Sequence, residues 1–354
     1  MKKILIVQGQ VPHYRKPFFN ALAAKYDVTV AHSGATMFSS QDDVCREQVW
    51  PLKRMGAFNI QQNVLREVRS GGYDAAVLMF DLHWVNSILA ACQKQTTRVC
   101  LWGNRYGGRP LANRVRDFAM RRADALIQYS DCEISRMVSS GIDRDKIFVA
   151  PNTLQVANQQ DCSDCQKDSL LFVGRAQPRK RVDVLLKAFA ASLPSLPEHI
   201  MLRIVGGGEL NNTLQALSKE LQISDRVEFT GEIIDSEILK QSFQRALAYV
   251  SPGPVGLGVL HSFAYGVPVV TCQTGYHGPE FSNLIHDENS IVYQQQCELA
   301  GVLSLICQNR SFAKTLGGNA YKHYSQHRTL DAMVAGFSDA IENRHRQPSQ
   351  RQVA

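Results

Sequence analysis

The stretch from Tyr249 to Thr271, YVSPGPVGLGVLHSFAYGVPVVT, constrains the fold more than any other part of the chain. It reads as strand, tight loop, short helix and strand. Ala246–Ser251 is an apolar run of strand length, and Pro252-Gly253-Pro254 breaks it. Gly256-Leu257-Gly258 opens a helix whose apolar stripe is Leu257, Leu260 and Ala264. Gly266 ends that helix, Pro268 forbids its return, and Val267–Thr271 forms a second buried strand. Glycines ahead of a helix let the backbone approach a ligand, and the free N–H groups of the first turn attract a phosphate. The same glycines also fit a loop that only turns a corner.

The rest of the chain repeats this alternation. Lys3–Gln8 is a continuous apolar run, as expected of a parallel strand covered on both faces. A turn, a helix over Pro17–Lys25 and a strand over Val28–His32 follow it. This order puts Gly9–Arg15 at the carboxyl end of the first strand, where open α/β sheets bind ligands. His13, Tyr14 and Arg15 are bunched there, as site residues or as a solvated loop. Strands over Ala75–Phe80 and Arg98–Trp102 end in Asp81 and His83, and in Asn104 and Arg105. Helices over Gln62–Val68 and Val85–Lys94 fill the gaps, and Ala125–Tyr129 and Lys146–Val149 are further strands. Alternating strands and helices predict a doubly wound parallel sheet.

A polar segment, 156–168, separates this set from a second α/β unit and reads as a linker. In the second unit Leu170–Val173 is a strand, then Gly174-Arg175 and Pro178-Arg179-Lys180-Arg181. A helix over Val182–Ala191 carries Val182, Leu185, Leu186 and Phe189 at i, i+3, i+4 and i+7. Met201–Val205 ends in Gly206-Gly207-Gly208, and Val227–Phe229 is closed by Thr230-Gly231. Helices over Leu210–Leu221 and Glu237–Arg245 complete the set. No dinucleotide fingerprint and no GxxxxGK[ST] loop is present. What stands out is a pair of cations, Arg175 and Lys180, flanking one strand–helix turn, with the helix N-terminus at Gly256–Gly258 on a neighbouring strand. Together they suit a dianionic diphosphate without a metal.

At 354 residues the chain has room for two domains. No apolar run approaches the ~20 residues of a membrane span, and Ile4–Val7 is too short for a signal-peptide core. Nine scattered cysteines fit reduced thiols in the cytoplasm, and the lone Cys162/Cys165 pair has no second pair to complete a zinc site. The net charge of +7 suggests an acidic partner. Its densest contribution is Arg105–Arg122, with six arginines and one acid, Asp117. A helix from Leu111 is expected to turn Val115, Phe118 and Ala119 inward and carry Arg114, Arg121 and Arg122 on another face. That face suits an anionic membrane surface or plain solvent. With no aromatic-interleaved basic stripe, nucleic acid is not expected as a partner.

The C-terminal motifs resemble those of GT-B glycosyltransferases of family 4, the glycosyl transferases group 1 type, in its bacterial surface-polysaccharide subset. The matching residues are Phe172-Val173-Gly174-Arg175 with Lys180 and Asp183, Ile204–Gly208, Val227–Gly231 and Ala264–Val270. Pro279-Glu280, Asp287 and Asp145–Thr153 fit as well, and Pro12–Arg15 resembles the first loop of that subset. The resemblance is strong over about residues 145–295.

It implies two Rossmann-like domains facing across a cleft. The first, 1–155, would bind the acceptor and the second, 169–325, a nucleotide-sugar donor. A helix within 326–345 would cross back to the first domain through Met333, Phe337 and Ile341, and 346–354 would be a disordered tail. Arg175 and Lys180 would neutralise the diphosphate leaving group, and anomeric configuration would be retained. Gly174, Gly207, Gly256, Leu257, Gly258, His261 and Glu280 would line the donor. His13, Arg15, His83 and Asn104 are the acceptor-side candidates. No cofactor and no metal are expected. The acceptor would be a glycan or a lipid-linked sugar, handled in the cytoplasm or on the inner face of its membrane.

One departure is specific. The family usually carries two glutamates separated by seven residues in the Tyr249–Thr271 stretch, and Gly253 and His261 occupy those positions. A subset resembling this chain has the pattern PG-x-VGL-x-x-x-H, which Pro252–His261 matches. Two other readings therefore remain: a non-catalytic protein of the same fold, or a sugar-nucleotide epimerase using His13, His83 and His277.

Overall fold

The structure, a computed structural model, describes residues 1–38, 44–93, 96–103, 106–107, 109–156, 158–275 and 277–345. Asn104, Arg105 and the tail 346–354 lie outside the described residues. The chain divides into two compact units, Met1–Gln155 with Thr329–Ala354, and Val156–Arg328.

The N-terminal unit starts with β1 (Lys3–Val7), α1 (Lys16–Ala23) and β2 (Asp27–His32), then β3 (Arg46–Val49), β4 (Leu52–Met55) and β5 (Phe58–Gln61). It continues with α2 (Val64–Arg69), β6 (Ala75–Met79), α3 (Val85–Ala91), β7 (Arg98–Trp102) and α4 (Pro110–Arg122). β8 (Ala125–Gln128), α5 (Ile134–Ser139) and β9 (Ile147–Val149) follow. A parallel sheet of order β3-β2-β1-β6-β7-β8-β9 results, with β4 and β5 as a separate antiparallel hairpin. Its inner strands are apolar on both sides because helices cover both faces, which is why they read as continuous runs.

The C-terminal unit is built the same way. It contains β10 (Ser169–Val173), α6 (Val182–Ser192), β11 (Met201–Val205), α7 (Asn211–Glu220), β12 (Val227–Gly231) and α8 (Ser236–Gln244). Then come β13 (Ala246–Ser251), α9 (Gly258–Ala264), β14 (Val269–Cys272), β15 (Ser290–Tyr293), α10 (Leu299–Gln308) and α11 (Arg310–His327). The sheet order is β12-β11-β10-β13-β14-β15, all parallel. The segment 156–168 is part of this unit. Gln160 and Cys162 donate their backbone N–H groups to the carbonyls of Ala264 and Tyr265, which fixes it to the end of α9. The last helix, α12 (Leu330–Glu342), completes the N-terminal unit. Met333, Phe337 and Ile341 are buried there, and the Phe337 ring packs edge-on against Phe18 and Trp102.

One expectation is overturned. α4 does form, but Val115 and Phe118 face outward, 41% and 44% exposed, and Leu111 is 72% exposed. Its buried side chains are Asn113, Ala119 and Met120. The helix carries two apolar arcs, and the smaller one packs inward, where Ala119 and Met120 join the core with Val99, Leu101 and Leu126. No helix among the described residues is long and apolar enough to cross a membrane.

Candidate active site

In the C-terminal unit the turns after β10, β11 and β13 lie against one another. Gly206 shows how closely. Its φ is +135°, and a Cβ there would stand 2.1 Å from the carbonyl oxygen of Gly174. Only glycine permits both that conformation and that approach. Gly174 and Ala176 donate their N–H groups to Val205 and Gly207, both at 2.9 Å, so the turn carrying Arg175 is stitched to the Gly206–Gly208 turn. The backbone is rigid while the Arg175 side chain stays exposed, with no side-chain partner among the described residues.

Lys180 closes a short 3-10 turn over Pro178–Lys180. Arg181 follows in the left-handed region at φ 53°, a conformation bulky residues rarely adopt. The Lys180 ammonium donates to the carbonyl oxygen of Pro254 at 2.6 Å, which places it on the loop ahead of α9. Burial pushes its pKa below the ordinary lysine range, Arg179 adds to the shift, and Glu280 opposes it. Gly253 locks the same contact from the other side. A Cβ at Gly253 would lie 2.2 Å from the Arg179 carbonyl oxygen and 2.8 Å from Lys180 Cα. The position where the resembling family carries its first glutamate therefore has no room for any side chain.

The Pro252–Leu257 loop is held from below as well. His277 Nδ1 accepts from the Val255 N–H at 3.3 Å, and the His277 ring stacks on Phe281 with centroids 4.3 Å apart. Thr271 Oγ1 donates to the Ser251 carbonyl at 2.7 Å. Tyr249 is buried beneath Gly258, where a Cβ would meet its hydroxyl at 2.5 Å. Glu280 is buried in the Pro279–Asn283 turn, with Oε2 folded back over Gly278. The structure thus gathers Lys180, the Pro252–Leu257 loop, His277 and Glu280. The structural role of His277 was not legible: a single histidine in a loop carries no periodic signal.

His261 sits in the last turn of α9 and is half-buried. Its ring lies parallel to that of Phe243, 9° between planes and 6.0 Å between centroids. Nδ1 is buried with no partner among the described residues, and burial pushes the imidazole pKa down to about 4. The ring is neutral at pH 7.

The N-terminal candidates fare differently. His13 is exposed in the His13–Arg15 3-10 turn. His83 is exposed and pairs through Nδ1 with Asp81 at 2.6 Å. The loops bearing them are neighbours, since a Cβ on Gly9 would touch the Trp84 ring at 2.5 Å. Arg15 is buried. It donates to Asn152 Oδ1 and to Met333 Sδ, and it lies 5.2 Å from the centre of the Trp102 ring. Its fork ties the first loop to α12.

What the C-terminal arrangement can do is hold a polyanion: a backbone loop, a lysine fixed on that loop, and a free arginine on the next turn. Residues 159–323 match the model of the family described as glycosyl transferases group 1. A D-inositol 3-phosphate glycosyltransferase of Geodermatophilus obscurus is 31% identical over 220 residues, covering 58% of this chain and 47% of that protein. The chain thus spans about half the length of the curated relatives it matches first. Among solved structures, HepE of Anabaena in complex with UDP superposes with a TM-score of 0.73 at 16% identity, over 97% of this chain and all of that one. The lipopolysaccharide outer core galactosyltransferase WaaB, in its apo form, gives a TM-score of 0.71 at 16% identity, over 98% of this chain and 100% of that one. These likenesses show the two-sheet GT-B fold. Over residues 159–323, just under half of its length, the chain is similar to the glycosyl transferases group 1 family.

Proposed function

We propose that this chain is a retaining glycosyltransferase that moves a sugar from a nucleotide-sugar to a glycan or lipid-linked acceptor, in the cytoplasmic assembly of a bacterial polysaccharide or lipopolysaccharide. The observation that carries the reading is the fixed position of Lys180 on the Pro252–Leu257 loop, with Arg175 unengaged on the adjoining turn. In transfer the bond between the anomeric carbon and the diphosphate oxygen breaks, and the nucleoside diphosphate leaves with the electron pair. The acceptor hydroxyl forms the new bond to the anomeric carbon, and its proton passes to the departing diphosphate oxygen. The charge that develops on the diphosphate needs donors already in place, and two side-chain cations plus loop N–H groups supply them. No metal requirement is expected. HepE, of the same fold, was solved with UDP and with UDP-glucose, which supports a nucleotide-sugar as donor here. In this reading Gly174, Gly207, Gly256, Leu257, Gly258, His261 and Glu280 line the donor, and the N-terminal unit takes the acceptor.

Gly253 favours a second reading, a protein of this fold that binds a nucleotide-sugar without turning it over, because the position admits no carboxylate. Incubation with a panel of nucleotide-sugars decides between them. Transfer or slow hydrolysis supports the enzyme, and binding without turnover supports the second reading. Interconversion of the sugar would point instead to an epimerase, and no binding to any donor would overturn both.

A further inference from the structure

Five exposed large apolar side chains of the N-terminal unit lie on two neighbouring elements. On α4, Leu111, Val115 and Phe118 stand at i, i+4 and i+7, so they form one stripe, and all three face outward. Arg114, Arg121 and Arg122 are exposed beside it, and the Arg122 guanidinium lies 3.6 Å from the centre of the Phe118 ring. The hairpin β4–β5 adds Met55 and Phe58, paired across its tip and 53% and 51% exposed. Lys53 and Arg54 are exposed on the same ribbon. The two elements meet: Ala57 and Phe58 of the hairpin and Arg109, Ala112 and Arg116 of the α4 segment wall a recess of about 430 Å³. Asp117, the single acid on α4, accepts a hydrogen bond from the Tyr106 hydroxyl at 2.7 Å, and the outer face is left positive.

Apolar side chains left in water on neighbouring elements mark a surface that something covers. The flanking charge says what. Long arginine stems can lie along apolar surface while their heads reach outward to phosphates at the level of lipid headgroups. A helix ridge and a hairpin tip, both apolar at the crest and basic at the flanks, have the form of an interfacial anchor. We propose that α4 and the β4–β5 tip form a docking face for an anionic lipid bilayer. Leu111, Val115, Phe118, Met55 and Phe58 enter the headgroup boundary, and Arg114, Arg121 and Arg122 pair with lipid phosphates. The proposal concerns where the N-terminal unit sits and does not rest on the sugar-transfer reading.

The test is co-sedimentation with vesicles, without any donor, so that its failure and that of the transfer reading are separate results. Vesicles of phosphatidylglycerol and phosphatidylcholine in equal amounts should bind the protein, and phosphatidylcholine alone should not. Arg114→Glu, Arg121→Glu and Arg122→Glu together should lower partition about hundredfold, at roughly fivefold per arginine. Leu111→Ser with Phe118→Ser should lower it about tenfold and remove the part that survives about 0.5 M salt. Ile234→Ser, at an exposed apolar residue of the other unit, should change nothing. Phe118→Trp provides a readout that deletes no apolar surface, and its fluorescence should shift to the blue on anionic vesicles. Equal partition onto neutral and anionic vesicles would overturn the proposal, as would an unshifted Phe118→Trp spectrum. A dimer in size-exclusion chromatography that the Leu111/Phe118 variant dissolves, with no vesicle binding, would overturn it too and make the face a contact between copies.

Discussion

The two units place an arginine at the same point of the same architecture and use it in opposite ways. Arg15 follows β1, the third strand of its sheet order, and Arg175 follows β10, the third strand of the other. Arg15 is buried, and its guanidinium holds Asn152, Met333 and the Trp102 face together. Arg175 is exposed, on a turn whose backbone is locked by glycine contacts. In the first case the side chain supplies the rigidity. In the second the backbone supplies it, and the side chain remains available to a ligand. A cation at the carboxyl end of a parallel strand is therefore not by itself a binding residue. What decides is whether the main chain around it is already fixed.

The sharpest way to break this comparison is to remove the cations of the C-terminal unit. Lys180→Ala or Arg175→Ala should lower kcat by about 10²–10³, with the melting temperature nearly unchanged for Arg175→Ala and Mg²⁺ without effect on the rate. Full activity in either variant, or a strict metal requirement in steady-state assays, would end the proposed division of labour. Because burial lowers the Lys180 pKa, its charge is lost earlier than usual as pH rises. The alkaline limb of kcat/KM should fall below the usual lysine value of about 10.4, and Lys180→Arg should move it upward.

The next largest effect belongs to Gly253. Gly253→Glu restores the residue type that the resembling family carries, yet every side chain there begins with a Cβ 2.2 Å from the Arg179 carbonyl. Overpacking of this kind costs about 1–3 kcal/mol, so the variant should melt lower and lose donor binding rather than gain activity. A calorimetric scan and a donor titration on one preparation check both.

Arg15→Ala probes the other half of the comparison. Loss of a charged hydrogen-bond donor from a buried network should cost about 1.5–3 kcal/mol of stability. Nucleoside diphosphate binding by the protein that remains folded should be unchanged. A weakened diphosphate affinity with an unchanged melt would reverse the assignment of Arg15.

The smallest effect is that of His261. Its ring stacks on Phe243 and its Nδ1 is buried, so it is partly a packing residue. His261→Ala should weaken diphosphate binding by roughly 3–30-fold, the scale of one lost hydrogen bond. The folded pKa, about 4, lies below the ordinary 6.5, so below pH 6.5 the unfolded chain binds the proton first. Stability contributed by the neutral ring is complete above pH 6.5 and is lost as pH falls towards 4. His261→Gln should flatten that part of the stability profile, leaving the parallel contribution of His323, whose burial also lowers its pKa to about 4. An unchanged slope in pH-dependent melts would contradict the burial.

Most strands of the two sheets were legible because helices on both faces make them continuous apolar runs, as at Ile4–Val7 and Leu170–Phe172; β15, four residues at the edge of its sheet, was not. β3 and the β4–β5 hairpin were not, since Arg46–Val49 and Leu52–Met55 are mostly exposed and carry no burial pattern. The orientation of α4 was misread for a related reason. Periodicity shows that a helix has an apolar stripe, but not which of two stripes packs: Leu111, Val115 and Phe118 on one side, Ala119 and Met120 on the other. In the C-terminal unit the glycine turns and the Arg175/Lys180 pair were legible from spacing. The closure of Gly253 onto Lys180 was not, because it joins residues more than seventy positions apart.

The central claim is that the Lys180 loop and Arg175 grip a diphosphate. Isothermal titration with the diphosphate and the monophosphate of one nucleoside, on the wild type and on Lys180→Ala, tests it most directly. The diphosphate should bind at least about tenfold tighter to the wild type, since the second phosphate adds charge-assisted hydrogen bonds. Lys180→Ala should remove most of that difference while leaving the monophosphate affinity in place. Equal affinities in the wild type, or a preference for the diphosphate that survives in Lys180→Ala, would contradict the account.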